Sequence, residues 1–476
     1  MKDTFIKPLS ILTGMSIALL HACAVGPNYK EPSFDAPKAF VSANSTDFSE
    51  KSVETKWWNL FNDKQLTDLV NQTLKHNFSL KIAQLNIEEA RALYLQTALN
   101  LAPIVSSHAN FTDQERSVGA LNNRSFVPRG LKLYNVGFDA QWELDIFGRV
   151  RRSVEASNDE VDVQDATLRD LSVSLVAEVA RNYFELRGLQ LQLDVAKKNA
   201  ENQVKTLEIT QVRLNAGRGT ALDTSRALAQ LDSTRALIPP LESGIAKAIH
   251  RLSVLTGQLP DALITSMSPQ LSLPKVPENI QIGNPADLLR RRPDIRIAER
   301  SLAAATASIG VATADLFPRV TFVGTVALEA TMLSGVAAKG SDSYSLGPRI
   351  SWAALDLGRV YARIRAANIN AEASLAQYQQ TVLSALEETE NALVNYNREK
   401  VRLSLLESAA KASVKADELA RLRFDEGVSD FLTVLDTELR LLDDQEKLAS
   451  SQTATATALV AVYKALGGGW EVMSSQ

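Results

Sequence analysis

Val136-Gly137-Phe138-Asp139-Ala140-Gln141-Trp142-Glu143-Leu144-Asp145-Ile146-Phe147-Gly148-Arg149-Val150 decides the fold, because the period of the sequence changes within it. Val136, Phe138, Ala140, Trp142 and Leu144 alternate with Gly137, Asp139, Gln141 and Glu143. That is a strand with one apolar face and one polar, acidic face. Beyond it, Leu168, Leu171, Leu175, Val179, Tyr183, Leu186, Leu189 and Leu193 step by three or four, the spacing of a helix. At ~1.5 Å per residue, about sixty residues make a helix of roughly 90 Å. So long a helix calls for a coiled-coil or bundle setting. It ends at Asn215-Ala216-Gly217-Arg218-Gly219, with Gly217 a natural left-handed C-terminal residue.

The same stretch occurs twice. Trp142, Gly148, Arg149 and Val150 return as Trp352, Gly358, Arg359 and Val360, an offset of 210 residues. Asn158, Ser174, Glu178, Arg213, Gly217 and Leu222 meet Asn368, Ser384, Glu388, Arg423, Gly427 and Leu432 without a gap. A constant offset over so long a span marks a duplicated unit. Each copy reads helix, strand, loop, strand, long helix, turn, long helix. The first copy covers 56–257, with strands at about 103–112 and 131–144 and long helices at about 153–214 and 220–257. A connector, 258–285, leads to the second copy at 286–476, with strands at about 318–330 and 343–354 and helices at about 360–424 and 429–466. No proline falls between Pro128 and Pro239 or after Pro348, which leaves the long helices unbroken except at Pro239-Pro240.

The formal net charge is only -4, which argues against a nucleic-acid surface. Four scattered histidines give no metal-ligand spacing, and no nucleophile triad or phosphate loop points to catalysis. No cofactor is expected. Arg290-Arg291-Arg292 reads as a structural loop pairing with Asp287 and Asp294. The N-terminus carries Lys2, Lys7 and an apolar run from Leu9 to Leu20, too short to span a bilayer and suited to a signal peptide over 1–22. Leu20-His21-Ala22-Cys23 resembles a bacterial lipobox, so Cys23 is expected to be lipidated and, with Ala24 after it, sorted to the outer membrane. Residues 23–55 then form an extended arm.

Four strands cannot close a barrel, and open sheet edges are not tolerated in a bilayer. Strands of about ten residues suit a tilted membrane strand. The polar faces carry Asp139, Gln141, Glu143, Glu329 and Arg349, costly against lipid but suited to a water-filled lumen. Closure therefore needs several chains pooling their strands, with the helices extending the same wall. The expected fold is mainly α with a membrane β-barrel, built from two tandem repeats with coiled-coil-like helical hairpins.

Other residues carry a resemblance. Trp57-Trp58-x-x-Phe61-x-Asp63, Pro285-x-x-Leu288-Leu289-x-Arg291-Arg292-Pro293-Asp294-Ile295, Phe317-Pro318 and Cys23-Ala24-Val25-Gly26-Pro27-x-Tyr29 are similar to signatures of TolC-like outer-membrane factors. These are the outer-membrane lipoproteins of tripartite efflux pumps driven by resistance-nodulation-division transporters. The resemblance covers Cys23 to about Trp470. It implies a homotrimer with a twelve-stranded barrel and an α-helical periplasmic tunnel, anchored in outer-membrane lipid and engaging a periplasmic adaptor and an inner-membrane transporter. It implies that Leu432 and Asp436, four apart on one helix face, narrow the periplasmic entrance. The plain alternative for Asp436 is a solvated acid near a helix N-terminus. Asp223 is either a second acidic gate residue or an ordinary first-turn acid. The hairpin tips, Arg213 with Gly217 and Arg423 with Gly427, are expected to dock on the adaptor, and each Gly also serves as a helix cap. The expected function is a passive exit duct for drugs or other small molecules. A duct for type I protein secretion and a periplasmic coiled-coil scaffold without a pore are the alternatives.

Overall fold

The structure, a computed structural model, describes residues 24–43, 48–119, 128–277 and 279–471. Cys23 and the signal segment lie outside the described residues. Contacts divide the chain into two compact units. The first takes in 24–33, 86–164 and 297–379; the second takes in 34–85, 165–296 and 380–471.

The first unit is organised by one sheet. Strands β2 (Ile104–Glu115), β3 (Gly130–Leu144), β5 (Arg319–Ala330) and β6 (Asp342–Ser351) lie in the order β2-β3-β5-β6, and every pairing is antiparallel. β2 is longer than the sequence suggests, because its far half is held by pairing to β3 out to Glu115↔Gly130. β6 is shorter: it ends at Ser351, and Trp352 instead turns its indole to donate to the Leu316 carbonyl at 3.0 Å. Trp142 does the same to Leu101 at 2.9 Å. At Gly137 a Cβ would fall within 2.4 Å of the Val326 carbonyl, so only glycine lets β3 and β5 approach there. The long helix α3 (Arg149–Asn215) starts where the Asp145 carboxylate accepts the backbone N–H groups of Val150 and Arg151, both at 2.9 Å. Those are orphan donors of a first helical turn.

The second unit is helical. One pair of elements is α3 with α4 (Ala221–Ala236) and α5 (Ile238–Leu255); the other is α9 (Leu357–Asp425) with α10 (Phe431–Ala465). The break between α4 and α5 sits just ahead of Pro239-Pro240, which occupy a first turn where no N–H is needed. The helical region after Trp57 is not continuous. α1 (Lys64–His76) ends at Asn77, whose side-chain oxygen accepts from Ser79 N–H at 2.9 Å and so starts α2 (Phe78–Ala98) afresh. On α2 it is Leu80, Ala83, Ile87 and Ala90 that are buried. The arm is not wholly extended, since β1 (Phe48–Ser49) pairs in parallel with β4 (Ile280–Gln281) of the connector. The connector also holds a short helix, α6 (Ile264–Met267). Two further helices, α7 (Pro285–Arg291) and α8 (Pro293–Ala314), lead back to the sheet.

Trp57 anchors this unit. It is fully buried, stacks on Tyr463 at 5.1 Å and meets Trp58 and Phe61 edge-on. Arg187 is also fully buried and ties α3 to the connector through the Pro269 carbonyl at 3.0 Å. The basic run keeps one of its expected pairs, Arg292 with Asp294, and lacks the other. Arg292 reaches Asp294, Glu388 and the Ala465 carbonyl, all within 2.8 Å, and Arg291 reaches Glu471. Among the described residues Asp287 pairs with no arginine; it hydrogen-bonds Asn284 at the start of α7.

Candidate functional site

The register sorts the sheet into two chemically distinct faces. One face carries Val105, Phe111, Tyr134, Val136, Phe138, Trp142, Phe322, Val326, Leu328, Tyr344, Leu346 and Ile350. Most of these large apolar side chains are exposed, so the face is a continuous unpartnered apolar surface. A patch that extensive on a folded chain marks contact with another apolar medium. Aromatic rings stand at both of its ends, with Trp142 and Trp352 at one and Phe111, Tyr134 and Tyr344 towards the other. That is the girdle of a membrane strand. No helix of the described residues is long and apolar enough to cross a membrane.

The opposite face holds the residues expected to line a lumen. Asp139 sits opposite Thr325, whose hydroxyl donates to it at 2.8 Å. Glu329 accepts from Asn135 at 2.6 Å. Arg349 is opposite Thr321. Gln141 lies between Ile104 and Val323, an apolar interruption of this face. Glu143 is not free: Arg149 holds both its oxygens, at 2.8 and 2.5 Å, and so ties the strand end to the first turn of α3. Sequence reasoning missed His108, which joins Asp139 at 2.7 Å. The signal was the alternation of Ser106, His108 and Asn110 on β2.

The arm crosses the start of α3 in the first unit. Val25 N–H donates to the Phe147 carbonyl at 3.1 Å. Gly148 and Gly26 both have positive φ, and a Cβ on either would meet Ala24 or Gly310 at 2.6 or 2.5 Å. These crossings set Ala24 against the joint between β3 and α3. Tyr29 then donates to Glu299, which also binds Arg300. Burial pushes the Tyr29 hydroxyl above its ordinary value.

Asp159 lies in the same cluster, 3.2 Å from Arg300, yet burial outweighs that attraction and pushes its carboxyl up to about 6. A carboxyl raised on folding favours the folded chain most below its ordinary value of 3.8, and that contribution is lost as pH rises through about 6. Asp159→Asn is therefore expected to leave the melting temperature at pH 3 nearly unchanged and to raise it by about 2–4 °C at pH 7.5. Equal melting temperatures at pH 7.5 speak against this assignment.

The hairpin ends of the second unit are near copies. Gly217 and Gly427 have φ of 70° and 73°, and each follows the same pair of reverse bonds: Gly217 to Leu214 and Arg218 to Arg213, Gly427 to Phe424 and Val428 to Arg423. The arginines differ. Arg213 donates to the Phe424 carbonyl at 2.9 Å and lies over its ring at 3.7 Å, whereas Arg423 is exposed and its side chain makes no hydrogen bond or ion pair within the described residues. The acids differ too. Asp223 closes a capping box with Thr220, its carboxylate accepting from the Thr220 hydroxyl at 2.7 Å. In the second hairpin that task falls to Asp430, which caps Thr433. Asp436 is left exposed and unpaired within the described residues, on one face with Leu432, which is 52% exposed. Behind them, Val434, Leu435 and Glu438 point inward. Glu438 binds Thr206 of α3 at 2.6 Å and Arg421 of α9 at 2.7 Å, and burial raises its carboxyl. The structure thus presents Leu432 and Asp436 together on a firmly backed helix and gives Asp223 to the cap. Among the described residues no group of acids, histidines or cysteines is arranged to hold a metal.

A family model described as Outer membrane efflux protein matches residues 69–258 and 284–468. The chain is 30% identical to the Solvent efflux pump outer membrane protein SrpC of Pseudomonas putida, with 96% of this chain and 97% of that protein covered. The solved structure of the outer-membrane channel OprN superposes with a TM-score of 0.89 at 40% identity, covering 94% of this chain and all (100%) of that one. The open state of the MtrE outer membrane channel of Neisseria gonorrhoeae superposes with a TM-score of 0.83 at 28% identity, covering 94% and 99%.

Proposed function

The chain belongs to the outer membrane efflux protein family, and from that premise we propose that three copies close into one exit duct. The single observation that carries this reading is the sheet: four antiparallel strands, one apolar face, one polar face and two unpaired edges. β2 and β6, the edge strands, run in opposite directions, so β6 of one copy meets β2 of the next in the antiparallel sense of the other pairs. Each unpaired backbone group left in hydrocarbon costs several kcal/mol, so the ring closes with no edge remaining. Three chains pool their strands into a barrel of twelve, four from each. The apolar face meets lipid, and Asp139, Gln141, Glu329 and Arg349 face water. The helices form the periplasmic tunnel.

Leu432 forms the apolar collar and Asp436 the carboxylate ring at the periplasmic entrance. Their shared exposure and the absence of a partner for Asp436 support this. The tips at Gly217 and Gly427 present matched turns to a periplasmic adaptor, which couples the duct to an inner-membrane transporter of the resistance-nodulation-division class. Drugs or other small molecules pass through without work done by the duct. The arm sets Ala24 against the joint of β3 and α3, which is where a lipid chain on Cys23 has to enter the inner leaflet of the outer membrane.

The test is assembly and conduction of the full mature chain. Purified in detergent, it is expected to run at the mass of three chains and to give discrete conductance steps in planar bilayers. A monomeric, non-conducting species sinks the proposal.

A further inference from the structure

The polar face of the sheet changes sign along its strands. At the end where β6 leads to α9, Arg319 of β5 stands opposite Ser351 of β6, and Thr321 stands opposite Arg349. Arg319 and Arg349 are thus diagonal neighbours on one face, with ~7–8 Å between their backbones. Two guanidinium groups and two hydroxyls fill this corner, and every one of them can donate a hydrogen bond. Both arginines are exposed.

The carboxylates close to this corner are already taken. Asp315 gives one oxygen to Arg319 at 2.7 Å and the other to Arg363 of α9 at 3.1 Å. Glu143 lies across Thr321 from Arg349, but Arg149 holds both its oxygens. The side chain of Arg349 makes no hydrogen bond or ion pair among the described residues. The guanidinium groups of Arg149, Arg319, Arg349 and Arg363 thus meet two carboxylates, which leaves two positive charges in excess. The neighbouring pairs, Arg151 with Asp145 and Arg359 with Asp356, are neutral in themselves. The other acids of the face, Asp139 and Glu329, lie farther out. Asp139 is opposite Thr325, four residues beyond Thr321, or ~13 Å along the strand. That exceeds the ~8 Å over which physiological salt screens a charge, so these acids do not neutralise the corner.

We propose that Arg349, backed by Arg319, forms an anion-binding collar at the helix end of the barrel, which takes the carboxylate, sulfonate or phosphate group of a small organic solute on its way out. The inference rests on the duct reading above. In the closed duct, three copies bring three such arginine pairs to one level. A guanidinium offers a planar fork that matches these groups two-pronged, and it is more weakly hydrated than an ammonium. Like charges so close repel one another, and an anion between them relieves that repulsion while it gains hydrogen bonds. Rings of arginine favour anions in a pore. Because both side chains stand in water, each contact is weak, and the solute can leave as readily as it enters.

The experiment measures the current of the full mature chain in planar bilayers in KCl, with citrate added to both sides at constant ionic strength. Millimolar citrate is expected to reduce the wild-type current, whereas chloride at equal ionic strength is not. Arg349→Gln is expected to raise the citrate concentration for half-block about fivefold or more, since each of three copies loses an exposed charged contact. Arg349→Lys keeps the charge without the fork and is expected to fall between the two. Arg349 is exposed and unpaired, so its replacement leaves the fold and the current in plain KCl near wild type. Conducting wild-type pores that ignore citrate overturn the collar and leave the duct standing. Pores of Arg349→Gln blocked as readily as wild type overturn the assignment to this residue. A wild-type chain that forms no pore overturns both collar and duct.

Discussion

Replacing Leu432 and Asp436 together by Ala is expected to raise single-channel conductance severalfold without loosening the fold. Both side chains are exposed, and neither belongs to the buried cluster of Ala227, Ala420, Phe424, Phe431, Val434 and Leu435 that holds the hairpin ends together. Surface substitutions of that kind usually stay within about 0.5 kcal/mol. Any gain in current therefore reports the width and charge of the entrance rather than a melted tip. The single changes separate the two parts. Leu432→Ala widens the collar, and Asp436→Ala also lowers the preference for cations, since it removes a ring of like charge. Asp223→Ala is the control: it removes a capping box, costs about 1 kcal/mol of helix stability and leaves conductance alone. Conductance equal to wild type in the double variant sinks the assignment of the gate.

The largest stability effect belongs to Arg292. Its guanidinium is nearly buried, reaches two carboxylates and closes the end of α10 through the Ala465 carbonyl at 2.7 Å. The backbone at Gly467 packs on the stem, where a Cβ would lie 3.0 Å from Arg292 Cγ. Arg292→Ala removes one partner of a largely desolvated network. The expected cost is about 3–5 kcal/mol and a fall in melting temperature of roughly 10 °C. Glu388 is partly exposed, so part of its interaction is screened by water. Arg292→Lys recovers little, because one ammonium cannot hold a planar carboxylate and a carbonyl on the far side at once. The check is a thermal melt of the detergent-solubilised protein alongside its level in the outer membrane. A loss under about 1 kcal/mol contradicts the role given to this residue.

Local patterns were readable where a period or a turn residue writes them into consecutive positions. The alternation from Val136 to Leu144 lies on β3, and Gly217 and Gly427 carry the positive φ that their place after a long helix suggested. The Thr220-x-x-Asp223 spacing was also there to be read as a capping box. What stayed hidden depends on partners far away in sequence. The pairing of Phe48 with Ile280 spans two residues on each side, too few to show a period. The bond between Asn135 and Glu329 joins positions 194 residues apart, and no single strand reveals it or the contact of His108 with Asp139. The break at Asn77 is hidden because helical apolar spacing carries through it, while the side chain that restarts the helix is an unremarkable amide. The difference between Arg213 and Arg423 is the clearest case. Their sequence settings match, and only the neighbour each one meets tells them apart.

The bond from Arg213 to Phe424 has a direction: the first hairpin reaches forward and grips the second. The clamp is one-sided: the side chain of Arg423, one repeat after Arg213, has no such hold within the described residues. The second tip is therefore held by the first at a point where the first is not held in return, and a pull on Phe424 is carried through Arg213 into the end of α3.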